Sequence, residues 1–101
     1  MGNFKITGYA ITGLVESNDS APYVVMYGIR NDEEQAKELF EKAIKEETRN
    51  LELSEIKYEL KRMNEKEVRI IENAGDYMTI IELKKVYEYE KEEIENELWK
   101  M

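Results

Sequence analysis

The chain contains no cysteine and no histidine. The first absence removes thiol nucleophiles, disulfides, iron–sulfur clusters and Cys-ligated zinc. The second removes imidazole acid–base catalysis and the other common zinc ligand. Also missing is any run approaching the roughly 20 apolar residues that a membrane helix needs. The opening residues Met1, Gly2, Asn3, Phe4 and Lys5 have no basic stretch leading into an apolar segment, so the expected chain is cytoplasmic and not membrane-bound. There is no Gly-x-Gly-x-x-Gly, and no glycine run ends in Lys-Ser or Lys-Thr to cradle a phosphate. No cofactor and no metal are expected.

What is present fits a single acidic domain spanning residues 1–101. Its 42% hydrophobic content can build a core, although 38% of residues are charged and the net charge is -8. The acid is unevenly placed. Residues 1–30 balance Lys5 and Arg30 against Glu16 and Asp19, so the whole excess falls in residues 31–101, with 21 acidic and 13 basic side chains. No Gly-, Ser- or Pro-rich linker separates the two parts, and the neutral part is too short to bury a core alone. It is expected to add strands to a shared one.

From Phe4 to Val15 the residues are mostly β-branched, aromatic or small, and a second such run covers Tyr23 to Ile29 after a polar turn over residues 16–22. Both read as strands. The second is apolar on both alternating faces, which predicts a central strand covered on two sides. Ile6-Thr7-Gly8 is echoed by Ile11-Thr12-Gly13 after five residues. That odd step would put the copies on opposite faces of a regular strand, so a bulge is expected at Gly8 or Gly13.

Asn31 is a candidate N-cap with Glu34 three residues on. Ala36, Leu39, Phe40, Ala43 and Ile44 follow at helical spacing, with Glu38–Lys42 and Glu41–Lys45 pairs on the outer face. Residues 53–73 admit either a helix or a hairpin. Alternation through Glu55–Lys61, a turn near Asn64-Glu65 and a return through Val68–Ile70 favour the hairpin, with Leu60 opposite Val68 and Tyr58 opposite Ile70. The same register sets Glu59 against Arg69 and Lys61 against Glu67. A further strand is expected from Tyr77 through Leu83, reaching Tyr87 or Tyr89, and a second helix from Glu90 with Ile94, Leu98 and Met101 on its apolar stripe.

These elements predict an α+β fold: a mainly antiparallel five-stranded sheet with two helices, in the order ββαβββα. Over about residues 3–88 that order resembles the β-grasp arrangement, in which a hairpin is followed by a helix and then more strands. The resemblance implies a binding module more often than an enzyme.

Little in the sequence carries catalytic chemistry. Ser17, Ser20 and Ser54 have no histidine to activate them, and 23 scattered carboxylates form accidental pairs without defining a cleft. The loop Glu16–Ser20 lacks the alternating acids and central glycine of a calcium loop. Tyr23, Tyr27 and Tyr58 are expected to sit in the core with their hydroxyls at its rim.

Tyr87, Tyr89 and Trp99 differ, because they border or lie within a segment in which Glu88–Glu97 holds six glutamates against Lys91 alone. Acid steers a basic partner while aromatic side chains supply contact area. Glu88, Tyr89, Glu90, Glu92, Glu93 and Trp99 are therefore the expected partner-binding residues. The expected function is a non-enzymatic protein-binding module, an acidic inhibitor or adaptor for a basic protein surface. That surface could belong to a nucleic-acid-handling protein, as with small phage-encoded or mobile-element inhibitors that imitate nucleic acid. Direct nucleic-acid binding is disfavoured, because Lys57, Lys61, Arg62, Lys66 and Arg69 are interleaved with glutamate. The alternative is a homo-oligomeric scaffold, a homodimer through Tyr23–Ile29, or a small-ligand-binding protein using the same strand.

Overall fold

The computed structural model describes residues 3–90. The elements are β1 (Asn3–Ser17), β2 (Tyr23–Arg30), α1 (Glu33–Leu53), β3 (Tyr58–Asn64), β4 (Glu67–Glu72) and β5 (Tyr77–Glu90), with a single 3-10 turn at Asn73–Gly75 before β5. All five strands form one sheet in the order β2-β1-β5-β4-β3, and every neighbouring pair is antiparallel. The α+β class and the five-stranded antiparallel sheet are as expected.

Two features differ from expectation. The described residues contain one α-helix, because β5 continues through Glu90, where a second helix was expected to begin. β1 supplies the reason: its first residues, Asn3 to Lys5, offer partners to Glu90, Tyr89 and Glu88, so pairing extends the strand. The rest of the expected second helix lies outside the described residues. The sheet also lacks the parallel central pair of a β-grasp fold. α1 carries the chain back to the end of the sheet where β2 began, and three hairpin-linked strands then bring β5 alongside β1 in the opposite direction.

α1 folds where its sequence is most periodic. Its N-cap is Asp32, one residue later than expected, and the Asp32 carboxylate accepts from the Glu34 amide at 3.1 Å. Glu33 and Glu34 complement the positive end of the helix dipole. Ala36, Phe40, Ala43 and Ile44 are buried, and they pack on Ile11, Val68, Ile70, Ile81 and Leu83 from the sheet. The two alanines keep the helix close, so Phe40 reaches the sheet and is almost fully enclosed. Burying a side chain of this size contributes roughly 1.5–3 kcal/mol. The helix stops where Glu55 takes a left-handed conformation at φ 57 and the Ile56 amide donates to the Leu51 carbonyl.

The β3–β4 hairpin is present, with a register two residues from the expected one. Leu60 faces Ile70, Tyr58 faces Glu72, Glu59 faces Ile71 and Lys61 faces Arg69. The turn is responsible: Asn64 Oδ1 accepts from the Lys66 amide at 2.8 Å, which centres the reversal on Glu65-Lys66, and the register shifts between Arg62 and Asn64. A two-residue slip keeps every side chain on its face, so the apolar pattern survives. The charges pair along each strand, Arg69 with Glu67 at 2.9 Å and Lys61 with Glu59 at 3.9 Å.

β2 is an edge strand, not a central one. α1 covers one face of the sheet only, and no described element covers the other, so Val24, Met26 and Ile29 are exposed; Tyr23, on the helix side at the start of β2, is exposed as well. Tyr23 therefore departs from its expected place in the core.

Candidate functional site

Three parts of the molecule could do chemistry or bind: the layer between α1 and the sheet, the β2 edge, and the extension of β1 and β5 beyond their neighbours.

The helix–sheet layer contains the most perturbed titratable groups. Tyr27 lies against Gly13, where a Cβ would stand 2.9 Å from the tyrosine ring, and its hydroxyl donates to Glu47 Oε1 at 3.1 Å. Gly13 is thus required for ring packing. Burial raises the Tyr27 pKa, with the Glu47 charge and hydrogen bond adding to it. Tyr58 donates to Glu52 Oε1 at 2.6 Å, and that hydrogen bond raises its pKa. Partial burial raises the Glu72 pKa, and the charge of Glu47 raises it further. The two tyrosine hydrogen bonds hold α1 to the sheet, and the expected rim position of the Tyr27 and Tyr58 hydroxyls is observed.

Ser17 and Ser20 hydrogen-bond to each other at 2.7 Å, and Ser54 is the C-cap of α1. Among the described residues no group of three or more carboxylates is placed to hold a metal ion. An open groove of about 520 Å³ between α1 and β3 is lined by Lys37, Phe40, Glu41, Arg62, Asn64 and Glu65. Arg62 forms a two-point pair with Glu41 there, at 2.9 and 3.1 Å, so Glu41 engages β3 instead of Lys45 in its own helix. No helix among the described residues is long and apolar enough to cross a membrane.

The β2 edge follows from a bulge. Val25 faces Gly13 and Met26 faces Thr12, but Gly28 faces Ile11, so Tyr27 is the additional residue. Tyr27 and Gly28 accordingly both turn toward α1. Gly28 admits Leu39, whose Cδ2 is 2.8 Å from where a Cβ would be. Val24, Met26 and Ile29 are left on the uncovered face, opposite Leu14, Thr12 and Ala10. Val24 is 66% and Met26 56% exposed.

The third region is a two-stranded ribbon. β2 pairs with β1 no further than Tyr9, and β4 pairs with β5 no further than Glu82, whereas β1 and β5 stay paired out to Asn3 and Glu90. A second bulge, between Ile6 and Gly8, sets Ile6 opposite Tyr87 and leaves Thr7 as the additional residue, next to Gly8 where an irregularity was expected. Strand alternation puts Phe4, Ile6 and Tyr87 on the α1 side of the sheet. α1 starts beside Gly8 and runs away from the ribbon, toward Tyr58, so it does not cover this apolar face. Phe4 is 73% exposed, and its ring meets that of Tyr87 edge-on with centroids 6.3 Å apart.

Of the expected partner-binding residues, Glu88 is exposed on this ribbon, across from Lys5. Tyr89 and Glu90 belong to β5 and stand in register with Phe4 and Asn3. Glu92, Glu93 and Trp99 lie outside the described residues. The sequence reading missed Phe4, Ile6 and Tyr87 as a group. The signal was the alternation of Phe4 and Ile6 with Lys5 and Thr7, continuing where no other strand has a counterpart.

No protein-family model, no curated protein and no solved structure matches the chain.

Proposed function

We propose that this chain is a non-enzymatic protein-binding module that uses the β1–β5 ribbon to engage a basic protein, as an inhibitor or adaptor. The observation that carries the reading is the set of exposed apolar side chains Phe4, Ile6 and Tyr87 on a ribbon whose β5 strand leads through Glu88 into the acidic segment. Apolar contact supplies affinity, and surrounding acid raises the rate of encounter with a basic surface. A nucleic-acid-binding cleft is one such surface, although 13 basic residues in the acidic half dilute any imitation of nucleic acid. Glu92, Glu93 and Trp99 extend the proposed site in sequence.

The test is retention of a partner from extracts of the source cells by wild-type protein and by a folded Phe4→Ala/Tyr87→Ala variant. The expected result is a basic protein held by the wild type, released by the variant, and associating more slowly as salt rises. Undiminished retention by the variant, or an acidic retained protein, rejects the proposal. The alternative of a homo-oligomeric scaffold draws on a different surface, the β2 edge.

A further inference from the structure

We infer that a second copy of this chain pairs with β2. The two strands run antiparallel about a two-fold axis perpendicular to the sheet, and two five-stranded sheets join into one. This surface is separate from the ribbon, so the inference stands independently of the basic partner.

An edge strand presents backbone donors and acceptors to any chain able to pair with them, and monomeric proteins obstruct such edges with charge, proline or irregularity. β3, at the far edge, is obstructed: Glu59, Lys61 and Arg62 fall within its seven residues. β2 is not obstructed in the same way. From Tyr23 to Ile29 it carries no charged residue, Pro22 lies just before it, and its bulge is confined to Tyr27, so Tyr23 to Met26 run in regular register against Val15 to Thr12.

Charge selects the occupant. Two copies of a chain with net charge -8 repel over most of their surfaces, and the neutral strand is where they can approach. A basic foreign strand would find no acid along Tyr23–Ile29 to recognise. The ends of β2 are self-complementary in an antiparallel pair, because Arg30 closes one end and Asp19, in the loop before β2, lies beyond the other.

A pair centred on Val25 sets Val24 against Met26 of the second copy on the uncovered face. It sets Tyr23 against Tyr27 on the helix side and brings each Arg30 to the other copy's Asp19–Ser20 loop. Opposed apolar and aromatic side chains on one face are the pairings that stabilise antiparallel strands. A perpendicular two-fold also keeps both α1 helices on the same side of the joined sheet.

Sedimentation equilibrium of the full chain over a range of concentrations tests the inference, combined with hydrogen exchange of the β2 amides. The expected mass at high micromolar concentration is twice 12.0 kDa, with outward-facing amides of Tyr23–Met26 exchanging more slowly as concentration rises. Met26→Lys or Val24→Lys should weaken self-association by at least about tenfold, since a charge then faces an apolar side chain of the other copy and its symmetry mate lies diagonally across the pair. Either variant suffices if the other fails to fold, and both side chains are more than half exposed. Phe4→Ala/Tyr87→Ala should leave the dimer intact. A wild-type mass of 12.0 kDa at high micromolar concentration overturns the inference. So does a dimer unaffected by the folded lysine variants, or one that forms without slowing β2 exchange.

Discussion

β3 carries three charges in seven residues and is tied to α1 by two exposed polar contacts, Arg62–Glu41 and Tyr58–Glu52, whereas β2 has no charge from Tyr23 to Ile29 and is tied to α1 by a part-buried tyrosine packed over a glycine. Both strands close the same sheet and reach the same helix through side chains. The first kind of attachment is polar and solvent-exposed, and the other is a part-buried ring whose hydroxyl is hydrogen-bonded. β3 thus tolerates water along its outer side, while β2 partly buries only Val25, Tyr27 and Gly28 and leaves an uncharged, apolar edge outward. Edge chemistry, more than strand length, separates a terminated sheet from one that can grow.

The comparison can be broken at its common support first. Phe40→Ala removes the side chain under both halves of the sheet and should cost about 3–5 kcal/mol, read by denaturant unfolding. Both edges should lose protection together. Gly13→Ala acts on β2 alone, because its Cβ would strike the Tyr27 ring while Glu47 holds the hydroxyl. A loss of about 1–3 kcal/mol is expected, with faster exchange in β2 and little change in β3. Equal loosening of both edges would contradict the separate attachments.

Tyr27→Phe isolates the hydrogen bond to Glu47 and should cost about 0.5–1.5 kcal/mol near neutral pH. Its pH dependence has a definite sign. Burial, then Glu47, raises the folded-state pKa of Tyr27 above the ordinary 10.0, so the folded protein holds this proton more tightly than the unfolded chain. The associated stability is complete below the ordinary value and is lost as pH rises from there toward the folded value. Thermal unfolding at rising alkaline pH should therefore decline less steeply in Tyr27→Phe than in wild type. The smallest effect belongs to the other edge. Arg62→Gln should cost about 0.2–1 kcal/mol, less at high salt, because the pair with Glu41 is exposed.

Local patterns made much of the fold legible. The helical spacing of Ala36, Phe40, Ala43 and Ile44 located α1, and alternation around Tyr58–Lys61 and Val68–Ile70 located the hairpin. The hairpin register escaped because it depends on which residues of Asn64-Glu65-Lys66 form the turn, and opposite charges could pair across strands or along them. β2 was misplaced because alternation records which side chains are apolar and not how many layers exist to cover them. The reach of β5 to Tyr89 was expected, but its partner and its passage through Glu90 were hidden for another reason: they are set by pairing with Lys5 to Asn3, at the opposite end of the sequence. That hidden pairing turned an expected helix start into a strand. It also left Phe4, Ile6 and Tyr87 unrecognised as a shared surface.

The β1–β5 seam also governs how the molecule assembles. β1 and β2 are joined by a short loop, and β3, β4 and β5 follow one another through short connections, so each set can begin to form from local encounters. The seam between the sets instead joins residues 60 to 87 positions apart. Closing so long a loop loses chain entropy before any contact compensates, which makes this step slow relative to hairpin formation. Until it closes, α1 has only part of a sheet to rest on, and Ile11 is separated from Ile81 and Leu83. The barrier to folding should therefore reside in the meeting of two preformed pieces, and a synthesising ribosome must release most of β5 before that meeting can occur.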